Sequence, residues 1–125
     1  MRRVFKTRYF SRWMRKTELT DLMLCSAVVE MVPGLIAADM GGSVVKKRIA
    51  LPGRGKSRSA RTLIATNKGN RLFFLFGFEK NERANVSAKE RAALQEIATD
   101  LLRQSIVELD ALVAINHLQE IGNDH

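Results

Sequence analysis

Apolar positions along the chain follow two periods, and the changes between them mark the elements. Val4-Phe5 and its flanks read as a short strand. Tyr9, Phe10, Trp13 and Met14 then recur at helical spacing, which predicts a helix with one aromatic stripe packed in the core. Thr20 suits an N-cap for a second helix from Asp21 to about Val32, with Leu24, Val28 and Met31 on one side and Pro33-Gly34 as its stop. Gly41-Gly42 breaks the pattern. Val44–Ala50, Arg61–Thr66 and Leu72–Phe78 then read as three strands, joined through Pro52-Gly53-Arg54-Gly55 and the turn Asn67-Lys68-Gly69-Asn70. The last of these is a nearly continuous apolar run, as expected of a central strand buried on both faces.

Ser87 followed by Glu90 is a capping box, opening a helix to about Arg103 with Leu94, Ile97, Ala98 and Leu101 as its buried stripe. Ser105 with Glu108 repeats the signal, and Ile106, Leu109, Leu112 and Val113 continue a shorter helix that ends before Gly122. The predicted order is β-α-α-β-β-β-α-α. That is an α+β domain in which helices pack an antiparallel three-strand meander and an N-terminal strand. The chain of 125 residues fits one domain over 1–125, with 103–125 as a C-terminal helical extension.

Charge changes this picture from a generic domain to one with a preferred partner. Lys+Arg number 21 against 13 Asp+Glu, a net charge of +8. Residues 1–62 carry 14 basic and 4 acidic side chains, whereas residues 63–125 carry 7 and 9, so the first half is at +10 and the second at −2. Lys46, Lys47, Arg48, Arg54, Lys56, Arg58 and Arg61 form a run without an acid, and a second basic group lies at Arg2–Lys16. Two such groups in one small domain favour a polyanion, with nucleic acid the commonest. No apolar run approaches the ~18 residues of a membrane span. Nor does an apolar signal core follow Met1-Arg2-Arg3, so a cytoplasmic protein is expected.

Several chemistries fit poorly. Cys25 is the one cysteine, sits in an apolar helix without a basic neighbour, and reads as an inert thiol. His117 and His125 have no ligand spacing, so neither a metal site nor a cofactor is expected. Ala50–Ser57 (ALPGRGKS) fits a relaxed phosphate-loop pattern. Such a loop needs a helix directly after Lys56-Ser57, and Arg58-Ser-Ala-Arg-Thr-Leu-Ile64 reads as a strand instead.

Val44-Val-Lys-Lys-Arg-Ile49, Gly53-Arg-Gly-Lys-Ser57 and Phe76-Gly-Phe-Glu-Lys-Asn-Glu-Arg-Ala-Asn-Val86 resemble the RelE/HigB branch of the RelE/ParE toxin superfamily, as does Val4-Phe-Lys-Thr with Phe10-x-x-Trp13. The chain departs from close relatives at Arg58-Ser59-Ala60-Arg61, where they carry Gly-Gly-aromatic-Arg, and at Ser87, where some carry a tyrosine. The resemblance implies a toxin that cleaves mRNA in the ribosomal A site, silenced by a cognate antitoxin. An acidic neutralising segment or a DNA-binding domain is expected on that antitoxin.

Carried over by position, Lys56, Arg61, Asn81 and Arg83 would be catalytic, and Lys46, Arg48, Arg54, Arg58 and Lys80 would bind RNA. The chemistry is self-consistent without a metal. A 2′-hydroxyl can attack the adjacent phosphate if a base, phosphate-stabilising charge and an acid are supplied. Lys56, crowded by Arg54, Arg58 and Arg61, would have a lowered pKa and act as base, while Arg61 and Arg83 would hold the phosphate and Asn81 orient it. Against a functional role, Glu79 and Glu82 are candidate structural partners for Arg83. Strand alternation puts Lys46 and Arg48 on one side and Lys47 on the other, either solvated or facing the helices. Two other readings stay open: a ParE-like topoisomerase inhibitor on the same fold, and a non-catalytic nucleic-acid binding module.

Overall fold

The computed structural model describes residues 2–32, 34–52, 58–67 and 70–124. The elements run β1 (Arg2–Thr7), α1 (Arg8–Met14), α2 (Asp21–Met31), β2 (Ala38–Gly41), β3 (Val44–Ala50), β4 (Ser59–Thr66), β5 (Arg71–Glu79), α3 (Ala88–Leu102), α4 (Ile106–Ala114) and β6 (Leu118–Asp124). They build an α+β domain around a six-stranded sheet of order β2-β3-β4-β5-β1-β6. The meander β3-β4-β5 is antiparallel, and β1 joins β5 in parallel through Val4↔Leu72 and Phe5↔Phe73.

Two strands were not expected. Ala38–Gly41 pairs with β3 through a turn whose Gly41, Gly42 and Ser43 all have positive φ. The predicted helical extension over 103–125 is half correct: α4 ends at Ala114, Asn116 reverses the chain at φ 62°, and Leu118–Asp124 pairs antiparallel with β1. Its sequence, LQEIGND, has weak strand propensity. The strand forms because β1 would otherwise present an open edge, and Arg3 holds it there by hydrogen bonds to both Glu120 oxygens (2.9 Å each) and one to Asp110 (2.8 Å).

The sheet separates two apolar layers. On one side α1 and α2 cover Val4, Ile64, Leu72 and Phe74 with Phe10, Met14, Leu24 and Val28. On the other α3 and α4 cover Phe5, Leu63, Phe73, Leu75 and Phe78 with Leu94, Ala98 and Leu109. Buried lysines tie α2 down at both ends: Lys6 to Asp21 at 2.7 Å and Lys47 to Glu30 at 2.8 Å. Lys47 therefore faces the helices. Thr20, Ser87 and Ser105 cap their helices as read from the sequence, the last two as complete capping boxes.

Three stripe positions differ from expectation. Ile97 and Ile106 are exposed, because the sheet they would cover is already spanned by Leu94, Ala98 and Leu109. Tyr9 is 60 % exposed rather than in the core, since α1 begins where β1 ends and its first turn projects past the strand.

The strand partners change register inside β5: Leu63 lies opposite Phe76 and Ile64 opposite Phe74, so Leu75 is an extra residue. Beyond it, Phe76 and Phe78 point to the α3 side and Gly77 to the α1 side. A methyl at Gly77 would lie 2.3 Å from the Trp13 ring, so only glycine lets that ring rest on the strand. Gly77→Ala is expected to destabilise the fold by about 2 kcal/mol through overpacking. The urea midpoint followed by fluorescence of Trp13, the single tryptophan, checks this.

Candidate nucleic-acid site

The α3-side end of the meander carries the charge. By strand alternation Lys46 and Arg48 of β3 and Arg61 of β4 share the face of Val44 and Leu63, and the register aligns Arg48 with Arg61 and Arg61 with Phe78. The loop after β5 returns Arg83 over the same face. Its guanidinium carbon lies 5.7 Å from the Phe76 ring centre and 5.9 Å from that of Phe78. Tyr9 stacks on Phe76 from the side, with centroids 5.8 Å apart and planes 14° apart. The result is an aromatic floor under the Arg83 guanidinium, edged by an exposed tyrosine, with Arg61 on the neighbouring strand.

Each cation has a distinct setting. Arg61 is half-buried and donates to Ser59 Oγ; burial, and secondarily repulsion from Arg48, push its pKa down from the ordinary arginine value. It forms no ion pair among the described residues, so an anion arriving there would relieve both effects. Arg83 does have a partner, Glu90, at 2.6 Å. The acids proposed for it from sequence are engaged elsewhere: Glu82 accepts from the Glu79 amide, and Glu79 accepts from Arg58. Glu90 is a more constrained anion, because the same oxygen accepts from Arg83 and from the Ser87 amide.

The other sequence candidates divide. Arg58 turns away, bridging Glu18 at 2.9 Å and Glu79 at 3.3 Å. Its charge is thereby internally balanced. Lys80 and Asn81 line a separate crevice of about 280 Å³ with Arg58, Ser59 and Glu79, which adjoins the main face through Ser59. Arg54 and Lys56 lie outside the described residues. The strands flanking them pair Ala50 with Ser59, so the segment after Lys56-Ser57 leads into a strand and the phosphate-loop pattern lacks its helix. Ser87 is a helix cap, and the exposed aromatic residue beside this face is Tyr9. The signal for Tyr9 was its place at the margin of the α1 stripe, between an arginine and the apolar positions.

Cys25 is partly buried with its thiol donating to the Ile121 carbonyl, and burial raises its pKa, in keeping with an inert role. No helix among the described residues is long and apolar enough to cross a membrane.

A small α+β sheet domain with a basic, aromatic-floored face at the end of a three-strand meander defines a class of compact toxins. The family profile described as "RelE toxin of RelE / RelB toxin-antitoxin system" matches residues 2–121, and the chain belongs to this RelE toxin family. Membership implies an antitoxin partner. A comparison with curated proteins found no match.

The Arg83 guanidinium, followed by the Ser87 amide, holds Glu90 down to a pKa of about 2. A depressed carboxylate contributes stability above its unfolded-state pKa, near 4.5, and loses that contribution as pH falls toward 2. In Arg83→Ala the Glu90 titration followed by carboxyl-carbon NMR should move up toward the ordinary range. The pH window in which the contribution is lost should move up with it.

Proposed function

We propose that this toxin is a metal-independent endoribonuclease that cuts mRNA, acting in the cytoplasm on the translating ribosome and so inhibiting translation. The observation that carries this reading is the convergence of Arg61 and Arg83 on one face with stacking rings beside them. Guanidinium stays charged at every physiological pH and forks onto two phosphate oxygens. The exposed Tyr9 ring offers a surface for an unstacked base, which single-stranded RNA exposes and a duplex hides.

In the proposed step the 2′-oxygen attacks the adjacent phosphorus. A base takes the hydroxyl proton, the bond from phosphorus to the 5′-oxygen breaks, and an acid protonates the departing oxygen. The products are a 2′,3′-cyclic phosphate and a free 5′-hydroxyl, with no change in oxidation state. Arg61 and Arg83 neutralise the crowded phosphate, and Lys46 and Arg48 hold the neighbouring backbone. Lys56, outside the described residues, is assigned the base role from its place in the sequence motif; Arg58, a neighbour in that run, is committed to Glu18 and Glu79. Lys80 and Asn81 would position the strand at the adjoining crevice. Tyr9 stacks on a base. Glu90 serves as a stand-in anion on Arg83 that the phosphate displaces.

Arg61→Ala and Arg83→Ala are each expected to slow cleavage of translated mRNA by about 10²-fold or more. Tyr9→Ala should cost less, on the order of 1–3 kcal/mol in RNA binding. Primer extension on mRNA from expressing cells checks the cut sites, and growth checks toxicity. Induced DNA damage with intact mRNA would instead indicate a topoisomerase inhibitor, and tolerated expression a plain binding module. If Lys56→Ala and Arg83→Ala proteins cut and kill like the parent, the assignment is wrong.

A further inference from the structure

The structure places three further arginines together. Arg8, Arg12 and Arg15 line one crevice of about 370 Å³ between α1 and the turn into β6, completed by Ser11, Asn116, Leu118 and Gln119. At i, i+4 and i+7 they lie within about 60° of one another around the helix axis, rising about 6 Å and then about 4.5 Å along it. All three are exposed. Several other cations of this half of the chain are neutralised: Arg3 by Glu120 and Asp110, Lys6 by Asp21, Lys47 by Glu30, Arg58 by Glu18 and Glu79. Among the described residues Arg8, Arg12 and Arg15 form no ion pair, and the one side-chain bond they make is from Arg8 Nε to the Asn116 carbonyl at 3.4 Å.

We propose that this crevice is a second RNA-backbone site, taking phosphates of the same strand whose scissile bond lies at Arg61 and Arg83. Continuity supports the assignment. Tyr9, the next residue after Arg8, stacks on Phe76 beneath Arg83, so the arginine face of α1 begins where the aromatic floor ends. The lining fits RNA better than a protein helix. Ser11, Asn116 and Gln119 supply hydrogen-bonding groups for phosphate and 2′-hydroxyl, whereas among the described residues no exposed large apolar side chain lines the crevice; such side chains lie on and after α2 (Leu22, Val29, Val32) and on α3 and α4 (Ile97, Ile106, Val107). This inference deepens the RNA-cleaving reading and rests on it for the identity of the strand.

The test measures binding without cleavage, using 2′-O-methyl oligouridylates, which lack the attacking hydroxyl. One probe is a trinucleotide that fills only the cleavage face, and the other has about twenty nucleotides. The Arg8→Gln/Arg12→Gln/Arg15→Gln protein is compared with Lys89→Gln/Arg91→Gln/Arg103→Gln, which removes the same net charge from α3 and its C-cap. The α1 variant should bind the long probe at least tenfold more weakly, with the slope of log affinity against log salt smaller by about 2. It should bind the trinucleotide like the parent, and the α3 variant should hold the long probe within about twofold at the same salt. Unchanged long-probe binding by the α1 variant, equal losses in both variants, or loss of antitoxin neutralisation with RNA binding intact would each overturn the proposal. If the triple variant fails to fold, Arg12→Gln alone should lower the slope by about 0.7, and no change would count against the site. Absence of RNA cleavage by the parent protein would refute the nuclease reading and leave this comparison standing.

Discussion

The side of the sheet on which the site lies depends on one extra residue in β5. Without the register shift at Leu75, alternation would send Phe76 and Phe78 toward α1 and Gly77 toward α3. Trp13 would then meet a phenylalanine where it now meets bare backbone, and Arg83 would cross the strand with no ring beneath it. The bulge and the glycine solve one problem together. The strand end packs a large indole on one face while its two aromatic side chains serve the other. Arg83 follows this strand, Arg61 lies on its antiparallel neighbour β4, and Lys46 and Arg48 lie on β3 one strand further, so the geometry of β5 precedes any chemistry at the site.

Charge is divided along the same line. On the α1/α2 face, lysines and arginines are structural: Lys6 and Lys47 are nearly buried and each finds a carboxylate on α2, while Arg58 links the chain before α2 to the end of β5. Breaking such a pair leaves a charge in a poorly solvated place, which costs far more than losing an exposed one. On the α3 face, Lys46, Arg48 and Arg61 lie without ion pairs among the described residues, and burial, with repulsion from Arg48 second, lowers the pKa of Arg61. Such an uncompensated group of cations favours an approaching anion. The net +8 is therefore a poor guide to partner strength; what counts is the subset of cations that the fold leaves uncompensated.

Much of the frame was legible in the sequence because local rules decided it. The capping boxes at Ser87 and Ser105, the Thr20 cap and the apolar run of β5 all read correctly. What was not legible depends on distant partners. β6 has little strand character of its own and exists because β1 offers an edge and Arg3 offers a clamp. At the site, alternation correctly grouped Lys46 and Arg48 and set Lys47 apart. By contrast, a run of basic residues in one dimension gave no means of separating Arg58 from Arg61. They are three positions apart, on opposite sides of the strand, and one has two carboxylates while the other has none among the described residues. Tyr9 escaped because helical spacing marks a stripe but not where the helix begins relative to the sheet edge.

On the proposed RNA-cleaving reading, the same geometry bears on how so small a domain would handle a long substrate. The face at Arg61 and Arg83 is an open surface, not an enclosed pocket, and two guanidiniums and three rings cannot by themselves fix the in-line arrangement that attack by a 2′-oxygen requires. Restraint on the RNA has to come from outside the reacting phosphate. A ribosome can supply it, and so can additional backbone contacts on the protein itself. With α1 starting at the edge of the aromatic floor and carrying its uncompensated arginines outward from there, the fold offers a strand two places to be held. A strand fixed at both ends of the site loses far more freedom than one held at its middle. In a catalyst without a deep cleft, that loss of freedom stands in for the walls.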